Sequence, residues 1–382
     1  MKLFWRPSHV SPALLVLVAL VSIGGYIVVE RYRVVETLPY KKNKAKSARL
    51  AQKAYAAIKR ERLDRGIHIE SDELDPAASG IIGVTVSPIT SKAGNLEAKQ
   101  TTVNPNWAAV FYSLFKKAHL RRGDTVALGI SGSFPALNIA ALAACEVMGL
   151  KPVVISSVSA SMWGANHPKY TWLDMETVLR DAKLINVKSV AASYGGVQDR
   201  GIGIPREGLK LIHEAIKRNG IVEINDPNNK EEDLERLIER RIQLYEEAAE
   251  DERISAYVNI GGGIASVGSL RSKHRLRPGL NTRIVPGVGV IHHFLRKGVP
   301  VIHIVKIREL ANRYTLPWIP QVTPKPGHGE VYVQETYAVW LTWTVLIGIL
   351  LALVAITRFD FAFLKRRVFR SAAKDTKQQP GV

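Results

Sequence analysis

One cysteine stands among 382 residues, so no disulfide can close within the chain, and a small disulfide-stapled scaffold is excluded. That residue, Cys145, lies in an Ala-rich apolar stretch, where a thiol acts as a small buried hydrophobe. The ten histidines include no HExxH spacing and there are no paired cysteines, so no metal ion is expected. His292-His293 opens an expected helix, where adjacent side chains diverge, and makes a poor chelating pair. A Walker A motif is missing, which sets aside an ATP-dependent ligase. No cofactor is expected. Carboxylates are missing from one long segment: Arg253 through Arg308 holds ten Lys/Arg and not one Asp or Glu.

Charge is present in excess but unevenly placed. The formal net charge is +19. Between Lys59 and Glu335 there are 36 basic and 30 acidic residues, a net of +6, whereas the two ends carry 17 against 4. The basicity is mostly terminal and belongs beside membrane spans, so nucleic acid is not an expected partner.

Two uncharged runs frame the chain, Ser11–Val29 and Tyr337–Thr357, each long enough to span a bilayer. Trp340 and Trp343 near the start of the second suit an interface. An uncleaved anchor is preferred to a cleaved signal peptide for the first run, because no small-x-small cleavage site follows it. The expected organisation is a short basic N-terminus (1–10), a transmembrane helix (11–29), a basic stalk helix and linker (30–75), an α/β domain (76–330), a second transmembrane helix (337–357) and a basic tail (358–382). Both termini are expected in the cytoplasm and the central domain outside it, on the strength of the basic tail, although the lysines at 41–46 pull the other way.

Between the spans, apolar strands alternate with amphipathic helices. Strands are expected at 81–86, 126–130, 151–156, 189–193, 221–224, 256–260 and 299–305. Helices are expected at 41–65, 107–120, 135–148, 172–182, 206–219, 230–252 and 289–297. Thr171 caps one of these, with Asp174 in its first turn. This alternation reads as a mostly parallel, doubly wound α/β sheet.

Ligands of such sheets bind beyond the carboxyl ends of the strands. Polar and glycine-rich loops fall there: Ser131-Gly132-Ser133; Ser156, Ser157 and Ser159; Tyr194, Asp199 and Arg200; Asp226; and Asn259 with Gly261-Gly262-Gly263. Gly129-Ile130-Ser131-Gly132-Ser133 approaches a G-x-S-x-G nucleophile elbow and fails at its last position. Ser131 with His167 and Asp174 is a weak hydrolase triad; hydroxyls and N–H groups holding an anion need fewer coincidences. Behind the second glycine turn come Arg271, Lys273, Arg275 and Arg277, in a segment whose lack of carboxylates suits a polyanion or an acidic membrane surface.

The segments SGSFPALNIAALAA, SASMWGANHP with TWLDME, SYGGVQDRGIGIPREG and VNIGGGIASVG, set between two spans, resemble the poly-gamma-glutamate system protein family over roughly Leu50–Thr357. That resemblance implies a cell-envelope or capsule component working with other membrane proteins of poly-gamma-glutamate biosynthesis. It transfers no catalytic motif. The ligand-binding candidates are Ser131, Gly132, Ser133, Ser157, Asn166, His167, Asp199, Arg200, Asn259, Gly261, Gly262, Gly263, Arg271, Lys273, Arg275 and Arg277. Two readings stand: an accessory protein that binds the acidic polymer, and a pathway amidase or transferase with Ser131 as nucleophile.

Overall fold

The computed structural model describes residues 12–225, 233–250 and 252–358. The chain divides into two units, Leu38–Val333 and a terminal unit drawn from its two ends. In the terminal unit, helices Pro12–Arg31 and Val339–Arg358 are each long and apolar enough to cross a membrane. Gly25 lets them meet closely, since a Cβ there would lie 2.5 Å from Cγ1 of Val345. The basic tail beyond residue 358 and the first ten residues lie outside the described residues.

The Leu38–Val333 unit is mixed α/β around a seven-stranded sheet. Its strands are β1 (Thr125–Ser131), β2 (Lys151–Ser157), β3 (Ala191–Ser193), β4 (Val222–Glu223), β5 (Ile254–Ile260), β6 (Gly279–Asn281) and β7 (Val301–Ile304). Their order across the sheet is β6-β7-β5-β1-β2-β3-β4. Every pairing is parallel except β6 with β7. The helices used below are α1 (Lys41–Asp64), α2 (Leu96–Thr102), α3 (Trp107–Lys117), α4 (Pro135–Met148), α5 (Trp172–Asp181), α6 (Arg206–Arg218), α7 (Leu234–Ala248), α8 (Leu270–Arg275), α9 (Val290–Arg296) and α10 (Ile307–Arg313).

The two-residue period of the strands sorts their side chains onto two cores. Val126, Leu128, Ile130, Val154, Val258 and Ile302 join one, with α1, α3, α4 and α5. Ala127, Val153, Ile155, Tyr257 and Val301 join the other, with Leu237, Leu244 and Tyr245 of α7 and Phe294 of α9. Both faces of the sheet are therefore dry, which is why its strands read as continuous apolar runs.

Two expectations fail. The expected stalk is a core helix: α1 forms as its spacing indicates, but Ala48, Ala51, Ala54 and Ile58 are fully buried and the Tyr55 hydroxyl donates to the carbonyl of Ala136 on α4. Alanines at helical spacing make a narrow face that packs tightly, and the lysines around them disguised it. Residues 81–86 form no strand. A Cβ on Gly83 would fall 1.8 Å from the carbonyl oxygen of Gly164. At this close crossing Gly83 N–H donates to the carbonyl of Trp163 (3.2 Å) and Trp163 N–H to that of Val84 (3.0 Å), and the pairing goes no further into a ladder. Arg62 holds the carbonyls of Gly80 and Ile82 instead. Asp226 and the beginning of the expected helix at 230 lie outside the described residues.

The ends of the unit meet. The N–H of Leu38 donates to the carbonyl of Tyr332 (3.0 Å), and Lys44 Nζ donates to that of Val331 (3.1 Å).

Candidate functional site

β1 and β2 run directly into short turns, and β5 into three glycines. Their carboxyl ends, with that of β3, enclose a cleft of about 210 Å³. Ser131, Ser133, Ser157, Ser159 and Ser161 line it, with Asp199, the Gly195-Gly196 turn and Gly261-Gly262-Gly263. Ser91 and Lys92 line it too, from a two-stranded ribbon in which Thr90–Lys92 pairs with Ala160–Ser161. The cleft spans the junction of β1 and β5, where successive strands stop advancing in one direction and resume on the other side of β1.

Local geometry explains the shape of the lining. At Gly132 a Cβ would come 2.7 Å from the carbonyl oxygen of Val158, so only glycine lets the two loops pass. Gly195 has φ +77°, and a Cβ there would fall 2.5 Å from Ser159 Oγ. Ser159 is 2 % exposed, yet among the described residues its hydroxyl has no hydrogen-bond partner. A buried hydroxyl left unsatisfied costs about 1–3 kcal/mol, and this one belongs to a cleft-lining residue.

Asp199 is the carboxylate of the lining, and it is neutralised from within. Arg241 on α7 meets it at 2.6 Å, with both side chains nearly sealed from water. Ser193 Oγ donates to the same carboxylate (2.8 Å), and Arg241 also reaches the hydroxyls of Ser157 and Ser193. Burial works against the charge on Arg241, but the Asp199 carboxylate, with Tyr245 and Tyr257, together more than offset it and hold the guanidinium above its ordinary range. Among the described residues the cleft is therefore lined by hydroxyls and the rim residue Lys92, with its one carboxylate, Asp199, already paired.

Behind the ribbon lies Lys99 on α2, 2 % exposed. Its Nζ donates to Ser161 Oγ (2.9 Å) and to the carbonyl of Ser133, and lies 4.0 Å from the centre of the Phe134 ring. Burial, then the charge of Lys92, bring its pKa down to about 7.

Of the candidates read from sequence, Ser131, Gly132, Ser133, Ser157, Asp199 and the three glycines come together; all but Gly132 line the cleft. Asn259 stands just behind the glycine turn, its amide donating to the carbonyl of Gly261 (2.6 Å). Arg200 follows Asp199 in a turn bridged to Gly195 and is not part of the lining. Asn166 is fully buried and ties the loops together by donating to the carbonyl of Val84 and to Thr90 Oγ1.

The triad does not assemble. Ser131 Oγ accepts from the N–H of Ser133 (3.2 Å), and neither His167 nor Asp174 lines the cleft. Asp174 accepts from Thr171 and from Arg218, an ion pair and helix cap that hold its pKa low in spite of burial. His167 sits in the Asn166–Thr171 hairpin, where burial, then Arg62 and Lys169, lower its pKa. Arg275 and Arg277 are exposed and absent from the lining; the side chains of Arg271 and Lys273 lie outside the described residues. The segment without carboxylates is dispersed: Lys297 pairs with Glu246 near a second hollow that includes Arg253, at the opposite end of β5.

Sequence reading missed Lys99, Ser161, Ser193 and Arg241. Lys99 lies in LEAKQTT and Arg241 in a helix full of charge, both of which read as solvated surface. Ser161 stands within the quoted SASMWGANHP segment and gave no separate signal.

Among the described residues, no three His, Cys, Asp or Glu side chains are grouped to hold a metal ion. Cys145 is buried, and burial pushes its thiol pKa far up. Compared with known proteins, the chain matches no family model, no curated protein and no solved structure.

Proposed function

We propose that this protein is a membrane-anchored component of a poly-gamma-glutamate system, and that its serine-lined cleft holds a carboxylate-bearing unit of the polymer. The observation carrying this reading is the convergence of six serines and two glycine turns on one cleft whose Asp199 carboxylate is already neutralised, with the Ser159 hydroxyl left unsatisfied. Hydroxyls and a nearby lysine favour an anion. At about 210 Å³ the cleft is smaller than a typical drug-sized site, so it takes one end or one unit of a chain and not an extended polymer.

In this reading the sheet is doubly wound, with its ligand at the point where strand order reverses. The two apolar helices cross the cell membrane, both termini are cytoplasmic and the cleft domain is outside. Other membrane components of the system are its partners, and no nucleic acid is.

The test is titration of the detergent-solubilised full-length protein with γ-linked glutamate oligomers at low and high salt. Binding is expected to weaken with salt and to fall at least about fivefold in Ser159→Ala, as expected for the loss of about 1 kcal/mol. Binding indifferent to Ser159, or none, would falsify this reading.

A further inference from the structure

We propose that Ser161 and Lys99 form a nucleophile–base pair for acyl transfer on an amide or ester held in the serine cleft. This rests on the cleft's being the ligand site, and it relocates the chemistry away from Ser131.

The geometry is that of an activated hydroxyl. Ser161 ends the short strand that pairs with Thr90–Lys92. Its N–H donates to Ser133 Oγ (3.0 Å), which fixes its backbone against the turn after β1. Ala160 is packed to the other side, 3.0 Å from where a Gly164 Cβ would be, and so Ser159 and Ser161 both belong to the cleft wall. Lys99 Nζ lies 2.9 Å from Ser161 Oγ, within the reach a general base needs.

Lys99 is unusual in what it lacks. Among the described residues it bonds a carbonyl, a hydroxyl and an aromatic face, and no carboxylate. A buried ammonium without a counter-ion is held poorly, so the neutral amine is accessible near pH 7. The charge that acts on it besides burial is Lys92, which works in the same direction. The other charged groups nearby are engaged elsewhere. On α10, Arg308 lies over Trp318 and Glu309 pairs with Arg313, while Glu97 on α2 itself is exposed.

The neutral amine of Lys99 takes the Ser161 hydroxyl proton as Oγ bonds to the substrate carbonyl carbon. The carbonyl π pair moves to its oxygen, to which the Ser159 hydroxyl of the same cleft wall donates. Collapse of that adduct breaks the carbon–nitrogen or carbon–oxygen bond. The leaving amine or alcohol departs with the proton from Nζ, and an ester remains on Ser161. Water, or an acceptor amine, then gives a proton to Nζ and attacks the ester. Ser161 Oγ leaves and takes that proton back, restoring both residues.

The experiment is labelling of the full-length protein in detergent with a fluorophosphonate, read by peptide mass. An adduct on Ser161 is expected, forming about tenfold faster at pH 8 than at pH 6 as a base with pKa near 7 becomes neutral. Ser161→Ala abolishes it, and Lys99→Met slows it at least about twentyfold. If Lys99→Met does not fold, the pH profile of the unaltered protein decides. No adduct at pH 8, an adduct on another serine, or a flat pH profile overturns the pair. Protection of Ser161 by γ-linked glutamate oligomers separates the two proposals. Labelling without protection sinks the ligand and spares the pair, whereas binding without labelling does the reverse.

Discussion

Arg241 and Asp199 meet at 2.6 Å beneath the cleft, one from the middle of a helix and the other from a turn with φ +63°. Neither has water to fall back on. Replacing Arg241 by Met leaves a carboxylate buried without its partner, and the expected loss is about 3–5 kcal/mol. Urea unfolding of the variant checks this. Adding Asp199→Asn to the same chain should recover part of the loss, because the stranded charge is gone; a fully additive double variant would refute the pairing.

Glu176 on α5 gives a pH dependence of definite sign. It accepts from the N–H and hydroxyl of Ser189 (2.8 and 2.9 Å), yet burial pushes its pKa up to about 7. Below the ordinary carboxylate pKa, near 4.5, it is protonated in both folded and unfolded chains and costs nothing. As pH rises from there to about 7, only the unfolded chain ionises readily, and stability falls by on the order of 3 kcal/mol. Melting curves between pH 4.5 and 8 should show this decline, and Glu176→Gln should flatten it.

Gly195 and Gly203 offer a matched pair. Both have positive φ, but a Cβ meets Ser159 Oγ at Gly195 and nothing within 4 Å at Gly203. Each alanine variant is expected to lose about 1–2 kcal/mol to backbone strain. Only Gly195→Ala should also weaken ligand binding, because it displaces the Ser159 hydroxyl. Equal effects on binding would show that the hydroxyl is not used.

If α1 belongs to the core, its removal is not neutral. Residues 38–333 expressed without the apolar helices should give a cooperative unfolding transition. Residues 66–333 should be insoluble or molten, since the surface that covers Ala136 and its neighbours is gone. A stable 66–333 fragment would restore the stalk.

Much of the fold was legible because burial on both sheet faces leaves unbroken apolar strands: Val126–Ile130 and Ala256–Ile260 could be placed to within two residues. The site was half legible. Glycines and serines at strand ends announce themselves, because turns and close approaches demand those residues. Lys99 and Arg241 did not, because a buried cation has the same letter as a surface one; only packing shows that α2 and α7 turn these residues inward. The strand order was beyond reach for a similar reason, since it depends on long-range pairing that no local pattern records.

The bond between Leu38 and Tyr332 has a mechanical meaning. Because the domain's two ends leave side by side, tension pulling them apart would open that joint like a zipper, one bond at a time. The seven-stranded sheet would not be sheared along its length. Strain arriving at the two ends of this unit would thus be taken up first at that joint, ahead of the serine cleft.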